Sequence, residues 1–184
     1  NAAAIIAEGE VMQLAAARSI ATKEEEYFKV IYAKTAALFA AAAEEGPILA
    51  GKTERERQAL AQFGANLGLA FQLVDDALDY GGSAQNLGKN VGDDFREGKI
   101  TLPVILCLAQ ANEKEKLFWQ EALEQEKNNQ QALDYALALL KKYGTLEQTI
   151  ERAKSYGKKA QASLEIFADG ACKQALRDVV DFCI

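Results

Sequence analysis

Three aspartates and a glutamine lie in the otherwise apolar run 71–80, at Gln72, Asp75, Asp76 and Asp79. In a helix of 3.6 residues per turn, these four side chains fall within roughly 100° of one another and share one face. Gly81-Gly82 is expected to end the helix, so the carboxylates crowd a C-terminus that already carries partial negative charge. Carboxylates this close repel one another unless a cation lies among them. Because Mg²⁺ takes oxygen ligands, commonly one or two carboxylates plus substrate phosphates, the run predicts a metal site on Asp75, Asp76 and Asp79.

A solvated acidic face is the alternative interpretation of such a run. It is disfavoured because the other residues of the run indicate a mostly buried helix, namely Phe71, Leu73, Val74, Leu78 and Tyr80. The aspartates are therefore expected to serve a site rather than the solvent.

The glycine-rich segment 81–98 follows the aspartates and predicts an irregular connection. A long loop inside a compact domain is usually functional or disordered. Glycines let the backbone approach a ligand closely, and Lys89 and Lys99 supply compact positive charge for phosphate. Lys34, among small and apolar residues of a predicted helix, either extends to the surface or serves a site.

The composition limits the possible classes of protein. The chain has 184 residues, 49% of them apolar, and only two prolines, which favours one helical domain with a real core. A net charge of −6 argues against a general binder of nucleic acid or anionic membrane. The three cysteines form no CxxC pair, which suggests a reduced, cytoplasmic protein, and no apolar run reaches membrane-spanning length. The absence of histidine excludes histidine triads, histidine acid–base chemistry and Glu-x-x-His di-iron sites.

Hydrophobic spacing and capping signals predict helices throughout, with no strand pair, internal repeat or domain linker. Gly46-Pro47 is expected to end the second helix. Gly64 and Gly68, one turn apart, predict either close packing against a neighbouring helix or local tolerance of glycine. Capping boxes are predicted at Thr22, Thr53 and Thr145, and residues 112–115 are predicted to cap a further helix. The predicted helices span about 1–20, 22–44, 53–80, a segment from about 101, 112–123, 133–143, 145–167 and 171–184.

Residues 71–79 resemble the second aspartate-rich motif of the trans-polyprenyl diphosphate synthases, with Asp75-Asp76-Ala77-Leu78-Asp79 preceded by Phe71-Gln72. Upstream, Lys34-Thr35 matches the family's Lys-Thr pair, and residues 8–14 are similar to an earlier helical motif in the form of the octaprenyl and decaprenyl synthases. Residues 87–94 and 97–103 match the stretches that follow the aspartates. Motifs in the right order over residues 8–103 make the resemblance specific, whereas residues 104–184 agree only in helical character.

The resemblance implies an all-α isoprenoid-synthase fold, a helical bundle around a central cavity, in which residues 1–184 are the C-terminal portion of a single domain. It implies a homodimeric transferase that condenses isopentenyl diphosphate head-to-tail with an allylic diphosphate, using Mg²⁺, to make a long-chain polyprenyl diphosphate. Diphosphate departs from the allylic carbon and leaves a carbocation, so metal ions and lysines would stabilise the charge on the leaving group. Neither stable membrane insertion nor nucleic-acid binding is expected.

Motif position assigns roles to individual residues. Asp75 would be the foremost metal ligand, with Asp76 and Asp79 as further or water-mediated ligands. Asp93 and Asp94 would orient lysines or hold metal-bound water. The catalytic lysines, which would hold the allylic diphosphate, are Lys34, Lys89 and Lys99. The side chains that would line the same pocket are Thr35 and Gln72.

The sequence also departs from the family pattern. The chain begins at Asn1 without a methionine, inside a predicted helix, which suggests a piece of a longer protein. The family's first aspartate-rich motif, its adjacent arginines and its isopentenyl diphosphate site have no counterpart and would precede Asn1. Residues 1–184 therefore do not specify the product length or the allylic starter. Alone, they are expected to be inactive.

Two other functions share parts of this pattern. A non-catalytic or regulatory subunit of a heteromeric synthase would not need the second aspartate-rich motif or the lysines, so their presence argues against it. A terpene cyclase is the nearer rival, but residues 89–103 fit the chain-elongating enzymes better. The upstream sequence would separate these hypotheses, since two aspartates followed by three residues and a third aspartate indicate an enzyme.

Overall fold

The computed structural model describes residues 2–81 and 91–184, which form helices and connecting turns with no strand. The all-α prediction is confirmed for this part of the chain. Two π-helical segments, Tyr32–Ala36 and Gln120–Glu124, directly follow the α-helices Glu24–Ile31 and Glu113–Trp119. The α-helices are α1 (Ala2–Ala16), α2 (Glu24–Ile31), α3 (Ala37–Leu49), α4 (Glu54–Gly81), α5 (Asp93–Glu97), α6 (Leu102–Gln110), α7 (Glu113–Trp119), α8 (Gln130–Tyr143), α9 (Thr145–Ser163) and α10 (Ala171–Cys183).

The helices pack into two compact units. The first unit comprises Asn1–Val11, Lys29–Val74 and Glu151–Ile184, and the second comprises Met12–Phe28 and Asp75–Ile150. Among the described residues, no helix is both long enough and apolar enough to cross a membrane. That residues 1–184 belong to a single domain stays a prediction.

Apolar side chains from α4, α9 and α10 form the core of the first unit. Phe63 and Leu67 of α4 lie against Ala160 and Leu164 near the end of α9, and Val180 of α10 completes the cluster. All five are buried. This core fixes the middle of α4. The predicted aspartates lie nearer the C-terminal end of the same helix.

Glycines bring α4 into backbone contact with α3 and the segment before it. A Cβ at Gly68 would lie 2.7 Å from the Ala36 Cα, and a Cβ at Gly64 would overlap the Phe39 carbonyl. Of the two interpretations of these glycines, close packing is therefore the one that the structure supports.

We expect Gly64→Ala to lower the free energy of unfolding by about 1–3 kcal/mol, because the added methyl group overpacks a backbone contact that cannot yield freely. Urea titration of the two proteins measures the change. Gly46→Ala is the matched control, since Gly46 is also helical and a Cβ there would meet nothing within 4 Å. Equal stability of Gly64→Ala and Gly46→Ala would show that α3 and α4 can move apart at little cost.

The second unit has its own core around α5 to α8. Phe95 and Trp119 are fully buried and meet edge to face with ring centroids 6.1 Å apart. Gly98, with φ 74°, ends α5 in the left-handed region, and its carbonyl accepts a 2.8 Å hydrogen bond from the Arg18 amide. The short helix α5 is thus anchored both by an aromatic pair and by its C-terminal carbonyl.

Several predicted boundaries were wrong for identifiable reasons. Helix α1 ends at Ala16 rather than near residue 20, because Arg18 takes a left-handed conformation. Helix α3 continues past Gly46-Pro47 to Leu49, since the carbonyls of Gly46 and Pro47 still accept hydrogen bonds from Ala50 and Lys52. The predicted loop 81–98 includes a helix, Asp93–Glu97, while residues 82–90 lie outside the described part of the chain.

Two of the predicted capping boxes are also wrong. At the start of α2, the Lys23 amide donates to Glu26, whereas the Thr22 hydroxyl donates to the Ala16 carbonyl. Thr145 is the buried first residue of α9, and its hydroxyl donates to the Leu140 carbonyl instead of capping the helix. The box at Thr53 and the cap at Asn112 are confirmed, and Asn112 forms a full capping box with Glu115.

Candidate functional site

The predicted metal ligands lie in the last turns of α4, and each of these aspartates has a distinct environment. Asp76 is almost fully buried, at 3% exposure, and its Oδ2 accepts a 2.6 Å hydrogen bond from the Tyr27 hydroxyl of α2. Burial, reinforced by the negative charge of Asp76, raises the pKa of the Tyr27 phenol well above its usual value. Tyr27 therefore keeps its proton and acts as the donor.

Asp79 lies one turn after Asp75 and faces a different partner. Its Oδ2 accepts a 3.2 Å hydrogen bond from the Asp94 backbone amide at the start of α5. Burial, together with the nearby negative charge of Asp94, raises the pKa of the Asp79 carboxyl to about 6, although the hydrogen bond from the Asp94 amide lowers it. A cation would offset the cost of keeping this carboxylate charged in its half-buried position.

Lys99 connects to the same group through Asp94. Its Nζ lies 2.9 Å from Asp94 Oδ1 and 2.7 Å from Glu97 Oε2. Burial lowers the pKa of the Lys99 ammonium, but hydrogen bonds to Glu97 and Asp94 raise it by more, so the net pKa is above the usual value. Asp79, Asp94 and Lys99 thus form one continuous polar chain, with the amide and the carboxylate of Asp94 in the middle.

The remaining predicted pocket residues lie in the first unit, where Lys34 and Thr35 occupy the π-helical segment. In this segment the Ala37 amide donates to the Tyr32 carbonyl five residues earlier, so one extra residue is accommodated per turn. Thr35 Oγ1 donates to Gln72 Oε1 of α4 at 2.9 Å. Such π-helical insertions are common at functional sites, and no feature of the sequence indicated this one.

Helix α1 packs closely against the backbone of Lys34. A Cβ at Gly9 would lie 2.6 Å from the Lys34 backbone nitrogen, so only glycine allows the two segments to approach this closely. Glu10 Oε1 lies 3.6 Å from Lys34 Nζ, and the Lys34 side chain is 30% exposed. The resemblance at residues 8–14 therefore corresponds to a physical contact with the Lys-Thr pair.

The donor set suits a hard divalent cation. Asp75 is half-buried and presents carboxylate oxygens, the ligand type that Mg²⁺ prefers. Within residues 2–81 and 91–184, no three acidic or thiol side chains converge closely enough to hold a metal ion by themselves. Mg²⁺ commonly takes one or two protein carboxylates and completes its shell with water and substrate phosphates.

The structure therefore brings together some of the predicted residues and not others. Thr35 contacts Gln72 in the first unit, and Asp79 and Lys99 are linked through Asp94 in the second. Lys89 lies outside the described residues. Sequence reasoning missed Tyr27 and Glu97 as partners of site residues, since neither belongs to the aspartate run.

The comparison with known protein families decides the family. The sequence model of the polyprenyl synthetase family matches residues 1–140. The chain belongs to the polyprenyl synthetase family. This confirms the resemblance inferred from the aspartate run, the Lys-Thr pair and the flanking motifs.

Relatives of this polyprenyl synthetase chain cover nearly all of it. The octaprenyl diphosphate synthase of Haemophilus influenzae is 43% identical over 176 residues, which are 96% of this chain and 53% of that protein. The octaprenyl diphosphate synthase of Escherichia coli is 43% identical over 94% of this chain and 53% of that protein. The chain thus spans about half the length of the curated relatives that it matches.

Solved structures confirm the isoprenoid-synthase fold. A decaprenyl diphosphate synthase from Rhodobacter capsulatus superposes with a TM-score of 0.94 and 48% identity, covering 100% of this chain and 56% of that one. A polyprenyl synthase from Caulobacter crescentus, crystallised with calcium and isoprenyl diphosphate, gives a TM-score of 0.95 and 44% identity, covering 99% of this chain and 56% of that one.

Proposed function

We propose that this chain is the C-terminal portion of a trans-polyprenyl diphosphate synthase that condenses isopentenyl diphosphate with an allylic diphosphate in the presence of Mg²⁺. Relatives named as octaprenyl and decaprenyl synthases support a long-chain product. By family resemblance, we further propose that the whole protein acts as a homodimer in the cytoplasm.

The observation that carries this proposal is the hydrogen-bonded chain from Asp79 through Asp94 to Lys99. It places a carboxylate suited to Mg²⁺ and an ammonium in one connected group at the end of α4. A diphosphate carries several negative oxygens, which bind both metal ions and ammonium groups. The calcium and isoprenyl diphosphate named for the Caulobacter crescentus relative are of the same chemical classes.

The difficult step is the departure of diphosphate from the allylic carbon, which builds negative charge on the leaving group. Asp75 and Asp79 would hold Mg²⁺, and bound Mg²⁺ would supply Lewis-acid stabilisation of that charge. Lys99 is held fully charged by Asp94 and Glu97, which take up two of its three N–H donors. A third donor can therefore bind a diphosphate oxygen without loss of these contacts.

The group in the first unit would bind the same class of ligand. Lys34 would supply a second ammonium toward a diphosphate, and its 3.6 Å ion pair with Glu10 is partly exposed to solvent. The hydrogen bond that Thr35 Oγ1 donates to Gln72 Oε1 orients both side chains. Pre-oriented polar groups of this kind stabilise charge that develops in a transition state.

The test is product analysis of the full-length protein supplied with farnesyl diphosphate, labelled isopentenyl diphosphate and Mg²⁺. We expect extractable polyprenyl products longer than the starter, formed only with metal present. Residues 1–184 expressed alone are the matched comparison and should give none, because they lack the first aspartate-rich motif. Cyclised hydrocarbon instead of a longer diphosphate would indicate a terpene cyclase. No product from the full-length protein unless a second polypeptide is added would indicate a regulatory subunit.

A further inference from the structure

The contact between Tyr27 and Asp76 is a short, buried hydrogen bond beside the predicted metal ligands. The two residues are separated by 49 positions in the sequence, on α2 and α4, and both lie in the second unit. Their side chains are 4% and 3% exposed, and the hydroxyl and carboxylate oxygens are 2.6 Å apart. A hydrogen bond this short between a hydroxyl and a carboxylate is of the strong, charge-assisted kind.

Because both groups are buried, losing this hydrogen bond would leave a buried carboxylate oxygen without a donor and would cost free energy. A buried carboxylate needs donors for its oxygens, and the phenol fills one of those positions. The oxygen that accepts from Tyr27 is directed at α2, so it is occupied by a donor that a metal ion would have to displace. Asp75 and Asp79, which are less buried, are better placed to offer oxygens to a cation.

We propose that Tyr27 is a positioning residue that fixes the Asp76 carboxylate as a buried negative charge beside the Mg²⁺ ligands Asp75 and Asp79. This inference rests on the proposed function, since it assigns a role within the same metal site. The three aspartates then have different roles, because two provide ligands while the third provides a fixed charge and an anchor between α4 and α2.

Asp76 can affect the metal site because its carboxylate lies beside the proposed metal ligands. Asp76 is adjacent to Asp75 in sequence and three residues from Asp79, so the orientation of its carboxylate and of this turn of α4 sets the field that the metal experiences. Without the phenol, the carboxylate loses its defined orientation, and the charge is no longer held in one place. Partners that orient groups around a metal commonly change its affinity by about tenfold or more when they are removed.

The experiment measures metal-dependent binding rather than turnover. In the full-length protein, inorganic pyrophosphate is titrated by calorimetry at a series of Mg²⁺ concentrations. We expect Tyr27→Phe to raise the Mg²⁺ concentration for half-maximal pyrophosphate binding by about tenfold, with binding at saturating Mg²⁺ nearly unchanged. Tyr135→Phe is the matched control, because exposed Tyr135 also loses a hydroxyl while its ring keeps its contact with Phe118.

A double-variant cycle separates positioning from general loss of packing. If Tyr27 acts through Asp76, then Asp76→Asn raises the half-saturating Mg²⁺ concentration as well, and the combined variant is no worse than the more affected single variant. Independent, multiplying effects would overturn the inference, as would an unchanged Mg²⁺ requirement in Tyr27→Phe. If Tyr27→Phe fails to fold, Asp76→Asn decides alone, and an unchanged Mg²⁺ requirement in that variant overturns the inference.

The wild-type titration tests the proposed function separately. Absence of Mg²⁺-dependent pyrophosphate binding in the wild-type protein would refute the diphosphate site itself, and the role of Tyr27 with it. Normal binding in the wild type together with an unaffected Tyr27→Phe protein would refute the role of Tyr27 alone.

Discussion

Asp75→Ala in the full-length protein should lower the turnover number by about a hundredfold or more, which corresponds to about 2.7 kcal/mol of lost transition-state stabilisation. Asp75 offers half-buried carboxylate oxygens in the last turns of α4, where the helix C-terminus disfavours negative charge. Its role is proposed to be greatest when charge builds on the departing diphosphate. Steady-state kinetics at saturating substrates and Mg²⁺ measure the effect.

The fold should survive the same substitution. Removing one of several neighbouring carboxylates relieves repulsion, so the thermal midpoint should stay the same or rise. Asp134→Ala is the matched control, because Asp134 is an exposed aspartate of α8 that bonds Gln130 one turn away. Near-normal turnover of Asp75→Ala at saturating Mg²⁺ would show that Asp75 is not a metal ligand.

Helix starts were predictable wherever both capping partners are local. Thr53 and Glu56 exchange hydrogen bonds across three residues, and the Asn112 and Glu115 pair does the same, so the sequence contains all the information needed. Thr145 has the same local pattern but is buried. Its hydroxyl donates to the Leu140 carbonyl five residues earlier, an alternative acceptor that the capping pattern does not take into account.

The same distinction applies to the site, where some features follow from residues close in sequence and others from residues far apart. Helical periodicity correctly placed the aspartates on α4, because the angle between side chains follows from spacing alone. It could not identify their partners. Tyr27 meets Asp76 from 49 residues away, and the Asp94 amide meets Asp79 across the segment that separates α4 from α5. These contacts depend on how helices pack, which spacing within one helix does not determine.

The π-helical segment shows a further limit. Lys34 and Thr35 were recognised by family resemblance, yet the sequence around them favours an ordinary α-helix of small residues. Inserting one residue into a helical turn costs hydrogen-bond geometry and must be offset by packing. Gly9 permits that packing by allowing α1 to approach the backbone of Lys34. The glycine and the insertion are about 25 positions apart, so only the folded structure relates them.

Lys99→Gln should weaken binding of the allylic diphosphate and slow its ionisation together. Charged hydrogen bonds contribute about 1.5–3 kcal/mol, so we expect kcat/KM for the allylic substrate to fall by about tenfold to a hundredfold. The KM for isopentenyl diphosphate should change less, because that site is expected upstream of residues 1–184. Lys116→Gln is the matched control, since it removes an exposed ammonium paired with Glu113 three residues away.

The pattern of losses distinguishes a binding role for Lys99 from a structural one. Lys99 holds Asp94 and Glu97, so its removal could instead loosen α5 and disturb the amide that supports Asp79. Loosening of that kind would weaken both substrates equally and lower the thermal midpoint. Lys99→Arg keeps the charge and should recover part of the allylic kcat/KM if the ammonium meets the diphosphate. Equal losses for both substrates, with no recovery by arginine, would show that Lys99 stabilises α5 and does not bind the substrate.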